Sequence, residues 1–347
     1  MKMLNALKLP LISITIGLLV GAILMALSGF DPFSAMTGLV TGGFGSTYAL
    51  TTTLTRATPI IFAGLAGALA WGSGYSSLGA AGQMVLGALT SAIVAVHCPG
   101  PDWFIVVMAI LSGMIAGMLY SLISIYLTHQ FQLYLLIVTL MLNYLADYIA
   151  SYVASYVVKD PNGLDSSAVQ TQLIEGSVLP QLLDGYTLHA GFIIAIVVTI
   201  LIYVIMKYTT FGYKAKMGGL NATFATYGGI KSSKMMYQVL LLSGAIAGLG
   251  GAIEVLGTRY RFVDMMITSP GYAWSGIIAS LMSANHPIGI FISAIFLAGM
   301  TTGGSSIERN FGVPSEVTII IQGIITLLIT ARFVVKFNAK QAKKEAN

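Results

Sequence analysis

Two carboxylates in this chain stand where a carboxylate is costly. Asp147 lies inside the apolar run 133–158, in the order Asn143-Tyr144-Leu145-Ala146-Asp147, with Asn143 one helical turn before it and Ser151 one turn after. An ionised group at membrane depth is costly, so Asp147 reads either as part of a polar cavity or network or as a protonated or snorkelling group. Glu254 ends Gly251-Ala252-Ile253-Glu254 near the close of the run 235–256, and beside Arg259 and Arg261 it reads as an interfacial anchor. Neither carboxylate belongs to a chain of titratable groups, which a proton relay would require. Enzyme chemistry has no foothold. The four histidines (His97, His129, His189, His286) are scattered at run ends without metal-ligand spacing. No phosphate-cradling Gly-x-x-x-x-Gly-Lys-Ser/Thr loop, no His-Glu-x-x-His and no Gly-x-Ser-x-Gly elbow occurs. One cysteine, Cys98, excludes an intrachain disulfide and a cysteine-cluster metal site. The chain reads as a non-enzyme without cofactor or metal.

Such isolated polar groups need an apolar scaffold, and the composition supplies one. Of 347 residues, 56% are hydrophobic and 8% charged, against roughly 25% charged in an ordinary soluble domain. This is the composition of an all-α polytopic membrane protein. Apolar runs near the length that crosses about 30 Å of hydrocarbon fall at 9–29, 103–127, 133–158, 189–208, 235–256 and 316–335. Four shorter runs, 58–72, 80–97, 273–285 and 287–303, are broken by Gly, Ser or Pro and read as spans, half-helices or re-entrant pieces. Lys2 and Lys8 precede the first run and no small-residue cleavage site follows its core, so it is read as an uncleaved span with a cytoplasmic N-terminus.

Charge then sets the orientation. The segment 207–236 carries five lysines (207, 214, 216, 231, 234) and no acidic residue, so it is expected on the cytoplasmic side, as is the basic tail 336–347. The loop 159–188, with Asp160, Asp165, Glu175 and Asp184 against Lys159, is expected outside. Ten crossings place all three as the positive-inside rule requires, within a single transmembrane domain spanning 1–347. The lysine loop also holds a short helix in outline. Asn221 is a good N-cap, and Gly228 or Gly229 allows a left-handed C-cap. A stiff cytoplasmic helix bracketed by glycine is suited to passing force to a soluble partner.

Two broken pairs of runs echo one another. Between 58 and 97 the break is Gly72-Ser73-Gly74-Tyr75-Ser76-Ser77-Leu78-Gly79, followed by Gln83; between 273 and 303 it is Ser283-Ala284-Asn285-His286-Pro287. Unwound backbone is tolerated at membrane depth only where it lines a cavity or is buried in protein, so paired interruptions point to a solute path. Gly113 with Gly117, Gly244 with Gly248, and Gly299 with Gly303 have the spacing that brings helices close together, and glycine-rich faces of this kind are expected to pair the chain with a companion.

In register, several stretches resemble a known family. They are Thr58-Pro59-Ile60-Ile61 through Gly64-Leu65-Ala66 to Leu78-Gly79-Ala80-Ala81-Gly82-Gln83, then Ile137-Val138-Thr139-Leu140-Met141-Leu142-Asn143-Tyr144. Further on come Phe211-Gly212-Tyr213, Asn221, Tyr227-Gly228-Gly229-Ile230, Ser243-Gly244-Ala245-Ile246-Ala247-Gly248 and Gly312-Val313-Pro314-Ser315-Glu316-Val317. Together they look like permease subunits of bacterial ABC importers for nucleosides and simple sugars, the branched-chain amino acid/ribose permease-like group. The resemblance implies a bacterial inner-membrane subunit without ATPase chemistry. It also implies partners: ATP-binding subunits, a second, related and non-identical permease, and an extracellular solute-binding lipoprotein. Gly219 to Ile230 matches the family's cytoplasmic coupling region. The chain departs from the family pattern at Ala81, at Trp71 to Ser77, at Tyr134-Leu135-Leu136 and at Ser283-Ala284-Asn285, where pocket polarity that selects the solute is altered.

The expected mechanism is alternating access driven by the ATPase partners. The path residues are taken as Ser76, Ser77, Gln83, Asn143, Asp147 and Asn285, and the coupling residues as Gly219, Asn221, Phe224, Tyr227, Gly229 and Ile230. Phe224 and Tyr227 either form a docking surface or pack under their loop at the membrane interface. A rival reading is an ion-coupled secondary transporter or channel that works without an ATPase, with Asp147 as its ion site. A membrane scaffold is the third, under which polar substitutions at the interruptions leave transport untouched.

Overall fold

The computed structural model describes residues 19–23, 25–26, 30–159, 169–314, 316–324 and 327. Helix α1 (Pro32–Phe44) begins where Asp31 accepts from the backbone N–H of Phe33 at 3.2 Å and of Ser34 at 3.3 Å, and Pro32 fills the first position, where no N–H is needed. Helix α2 (Thr47–Gly72) starts well before the apolar run at 58 and carries Pro59 in its interior. Its first turns are rich in threonine, whose hydroxyls turn back onto the helix: Thr51 Oγ1 donates to the Thr47 carbonyl at 2.8 Å. Hydropathy alone therefore placed this helix too late in the chain.

The remaining helices are α3 (Ala80–His97), α4 (Asp102–Phe131), α5 (Leu135–Tyr152), α6 (Gly191–Tyr208), α7 (Thr210–Leu220), α8 (Ala222–Tyr227), α9 (Ser232–Glu254), α10 (Tyr272–Met282) and α11 (Pro287–Phe311). Wider π turns prolong α5 over Val153–Val157 and α9 over Val255–Arg259. Among the described residues seven helices are long and apolar enough to cross a membrane: α2, α3, α4, α5 with its π turn, α6, α9 with its π turn, and α11. Most of the run 9–29 and half of the run 316–335 lie outside the described residues, as do the tail 336–347 and residues 160–168. The run 273–285 is α10, whose 11 residues reach roughly 16 Å, about half the hydrocarbon thickness.

The chain divides into two compact units, one from residues before 55 and after 294, the other Thr55–Ala294. In the first, α1 and α11 pack through glycine: a β-carbon on Gly303 would strike the Leu39 carbonyl, and one on Gly299 the Phe44 ring. In the second, α4 and α9 cross at four glycines. A β-carbon on Gly117 would run into the Gly244 carbonyl, and one on Gly248 into the Gly113 carbonyl. All four are buried within the chain. The close helix packing expected at these glycines is therefore found inside this subunit, because only absent side chains let two backbones approach this far.

The larger unit has two distinct ends. At one, the α2–α3 turn meets the lysine segment and the break after α10: Tyr75 OH donates to the Ser232 carbonyl at 3.1 Å, and a β-carbon on Gly72 would lie 3.7 Å from Cβ of Asn285. At the other, Ser177 Oγ donates to Asp102 at 2.8 Å, and residues 171–179 add backbone bonds to 256–262, including Ile174 N–H to Tyr260 O at 2.8 Å. The chain thus passes from one end at Tyr260 to the other at Asn285 through an irregular stretch plus α10. Phe262, Met266 and Ile267 of the irregular stretch are buried, which fastens it to the rest of the unit.

Candidate functional site

Asn143 organises the first part of the site. It lies on α5 one turn after Thr139, and both face the break between α2 and α3. Asn143 Nδ2 donates to the Leu78 carbonyl and its Oδ1 accepts from Gly82 N–H, each at 2.9 Å. Thr139 Oγ1 accepts from Leu78 N–H at 3.0 Å. Two residues of α5 thus satisfy backbone groups that the break and the first turn of α3 would leave unpaired. Trp71 Nε1 closes the turn from inside by donating to the Ser77 carbonyl at 2.7 Å.

Behind this junction Gln83, Asn143, Thr139, Tyr120 and Ser124 converge around one small pocket. Tyr120 OH donates to the Leu142 carbonyl at 2.6 Å. Gln83 is 4% exposed, and its Oε1 has no hydrogen-bond partner among the described residues. A buried amide oxygen without a donor is costly, so this is a closed polar constriction whose opening would relieve a cost.

Of the six expected path residues, the structure brings Gln83 and Asn143 into one constriction and holds Ser77 beside it, where Ser77 Oγ accepts from Gly79 N–H at 3.3 Å. Ser76 is exposed in the same turn. Asp147 is one turn further along α5, half-buried, and accepts from Thr268 Oγ1 at 2.8 Å. Asn285 lies in the break after α10 with φ 61° and accepts from Ser280 Oγ at 2.7 Å. Sequence reasoning missed Thr139, Tyr120, Ser280 and Thr268. The spacing of Thr139 and Asn143 on one helical face was the available signal for the first; the others are tertiary partners.

Glu254 is not an interfacial anchor. It is buried, with Tyr272 OH donating to Oε1 and Thr258 Oγ1 to Oε2, both at 3.4 Å. Thr258 in turn lies 3.3 Å from His189 Nε2, while His189 Nδ1 accepts from Gly191 N–H at 3.1 Å. The group joins the start of α10, the end of α9 and the start of α6 into one polar knot.

The expected short helix in the lysine segment is α8. Asn221 is extended, and its side chain accepts from Phe224 N–H at 2.9 Å; the far end closes with Gly229 at φ 78° and Ile230 N–H bonded to the Ala225 carbonyl at 3.0 Å. Ala225 is buried, while Phe224 and Tyr227 project outward, Tyr227 at 88% exposure. Neither ring packs under the loop of this chain. Just before α8, Gly219 rests on the backbone of residues 72–74, its missing β-carbon leaving 2.8 Å to Gly72 O and Gly74 N.

The sequence that builds this multi-helix apolar bundle has clear relatives. The family described as branched-chain amino acid transport system / permease component matches residues 49–330. The chain belongs to that family. It is a membrane permease subunit of the ABC transporter type and not itself an enzyme. It is 32% identical over 348 residues to the guanosine ABC transporter permease protein NupP of Bacillus subtilis, covering 100% of this chain and 99% of that one. The nucleoside ABC transporter permease protein NupB of Lactococcus lactis is 28% identical over 341 residues, 96% of this chain and 93% of that protein. The glucose ABC transporter permease protein TsgB13 of Haloferax volcanii is 30% identical over 335 residues, 93% of this permease and 87% of its own length. No solved structure matches the chain.

Proposed function

We infer that this permease carries a nucleoside or simple sugar inward across a bacterial inner membrane by alternating access, driven by separate ATP-binding subunits. The observation that carries the reading is the pair of outward aromatic rings on α8, Phe224 and Tyr227, held by a capped helix whose flanks rest on the α2–α3 turn. Exposed rings on a rigid polar loop are a docking surface. The coupling set is Gly219, Asn221, Phe224, Tyr227, Gly229 and Ile230. Movement of α8 reaches the turn at Gly72–Gly74, and that turn is bonded at Leu78 to Asn143 and Thr139. The closed constriction at Gln83 and Asn143 is then one gate of a path that also uses Ser76, Ser77, Asp147 and Asn285.

The partners in this reading are ATP-binding subunits, a second, related but non-identical permease, and a solute-binding lipoprotein outside. Ten crossings with both termini in the cytoplasm fit the two ends of the larger unit. Lys214, Lys216, Lys231 and Lys234 belong to the end where Tyr75 meets Ser232, whereas Glu175 and Asp184 belong to the segment that pairs with the other. The solute class follows the relatives' names, guanosine, nucleoside and glucose.

The test is affinity purification from mild detergent, wild type beside a Phe224→Ala/Tyr227→Ala variant. Wild type is expected to bring an ATPase and a second permease, and the variant to lose the ATPase while keeping the permease. A lone chain that moves solute in ATP-free vesicles would sink the reading in favour of an ion-coupled carrier.

A further inference from the structure

Glu254 is a buried carboxylate that neither the gate nor the coupling helix uses. At 1% exposure it is the one acidic side chain among the described residues that is fully buried. A carboxylate at that depth is costly to keep, and removing it or a partner strands the groups around it. The guanidinium groups of Arg56 on α2 and of Arg259 act on it electrostatically. It stands at the end of α9, whose residues from Ser243 to Glu254 are all buried. The glycine crossing with α4 therefore makes a fixed platform for it.

What Glu254 holds is the start of α10. Tyr272 is the first residue of that helix and is buried, and Glu254 Oε1, at 3.4 Å, is the one hydrogen-bond partner of its OH among the described residues. The turn before it is closed by Gly271 N–H, which donates to the Thr268 carbonyl at 3.1 Å with Gly271 at φ 68°. Thr268, at the other end of that turn, donates to Asp147 Oδ1 at 2.8 Å. Asp147 Oδ2 has no hydrogen-bond partner among the described residues. Two carboxylates on different helices thus hold the two ends of one short segment, Thr268 to Tyr272, each through a hydroxyl. Inside an apolar bundle no water replaces a lost bond of this kind.

We propose that Glu254 is a positioning residue for Asp147: by holding Tyr272 it fixes the turn from Thr268 to Tyr272, and Thr268 in turn orients the Asp147 carboxylate, with Oδ2 left for the solute. Glu254 itself does not touch the solute. The inference rests on the importer reading, in which Asp147 belongs to the path. Burial of Met266 and Ile267, 5% and 1% exposed, also anchors the segment, and the experiment separates that anchoring from the hold of Glu254.

The test measures ATP turnover and uptake together in proteoliposomes holding the assembled transporter, with the solute-binding protein and radiolabelled guanosine or glucose. Tyr272→Phe leaves Glu254 and both arginines in place and removes only the hydroxyl. It is expected to lower solute moved per ATP about tenfold, as is Thr268→Val. The double variant is expected to fall no further than Thr268→Val alone, because both changes act through Asp147. Glu254→Ala is expected to match Tyr272→Phe, and Glu254→Gln, which keeps an oxygen for the hydroxyl, to recover to within about twofold of wild type. An unchanged ratio in Tyr272→Phe or in Thr268→Val overturns the positioning role while leaving the importer standing. Losses that multiply in the double variant, or ATP turnover and uptake that fall in parallel as in a merely destabilised protein, overturn it too. ATP-driven uptake of neither solute by wild type removes the importer reading and this inference with it.

Discussion

Gly74 and Gly219 meet backbone to backbone: a β-carbon on Gly74 would stand 2.8 Å from Gly219 Cα, and one on Gly219 would stand 2.8 Å from Gly74 N. Gly74 also has φ 84°, a conformation open to glycine and strained for other residues. The end of α7, two residues before the Asn221 cap of the helix that faces the ATPase in our reading, is thereby seated on the turn that leads to Asn143.

Gly219→Ala should leave the ATPase bound and hydrolysing while lowering solute moved per ATP. Mutations along a coupling route typically change coupling by roughly 2- to 30-fold, and the same range is expected here. The check is simultaneous measurement of ATP turnover and uptake in proteoliposomes; an unchanged ratio would mean that α7 and the α2–α3 turn move independently.

Asn143→Leu removes a donor to Leu78 O and an acceptor for Gly82 N–H. Stranding buried backbone groups costs about 1–3 kcal/mol, so thermal unfolding of the purified complex should occur at lower temperature. Asn143→Asp keeps the acceptor and loses the donor, and is expected to fall between the two.

Gly248→Val should separate α4 from α9, because its β-carbon would occupy the place of the Gly113 carbonyl. Overpacking of this kind costs about 1–3 kcal/mol or more, seen as reduced yield of folded protein in detergent. Gly218→Ala, at a position with no neighbour within 4 Å of an added β-carbon, is the matched control and should be near neutral.

Asp147→Leu strands the Thr268 hydroxyl, whereas Asp147→Asn keeps an oxygen to receive its 2.8 Å bond. ATP-driven uptake is expected to fall in the leucine variant and to return in the asparagine variant. If asparagine is as inactive as leucine, the charge itself is required, which is the signature of ion coupling.

The membrane class and the capped helix at Asn221 were legible in the residues, because each depends on local chemistry: apolar run length, and an N-cap followed by glycine. The close-packing glycines were legible as helix-packing positions too, but not their partners. A four-residue spacing says that something approaches closely, and only the fold shows that Gly113 and Gly117 meet Gly244 and Gly248 rather than another subunit. The early start of α2 was hidden because threonine lowers hydropathy while its hydroxyl bonds within its own helix. Glu254 looked superficial by its place at the end of a run, yet the return of the chain through Tyr272 buries it. Gln83 and Asn143 could be picked as polar residues in apolar surroundings; that they line one pocket, while Asp147 and Asn285 take separate partners in Thr268 and Ser280, was decided by tertiary structure alone. Sequence records which groups need a hydrogen bond or a close neighbour, and the satisfying group is supplied by residues far away in the chain.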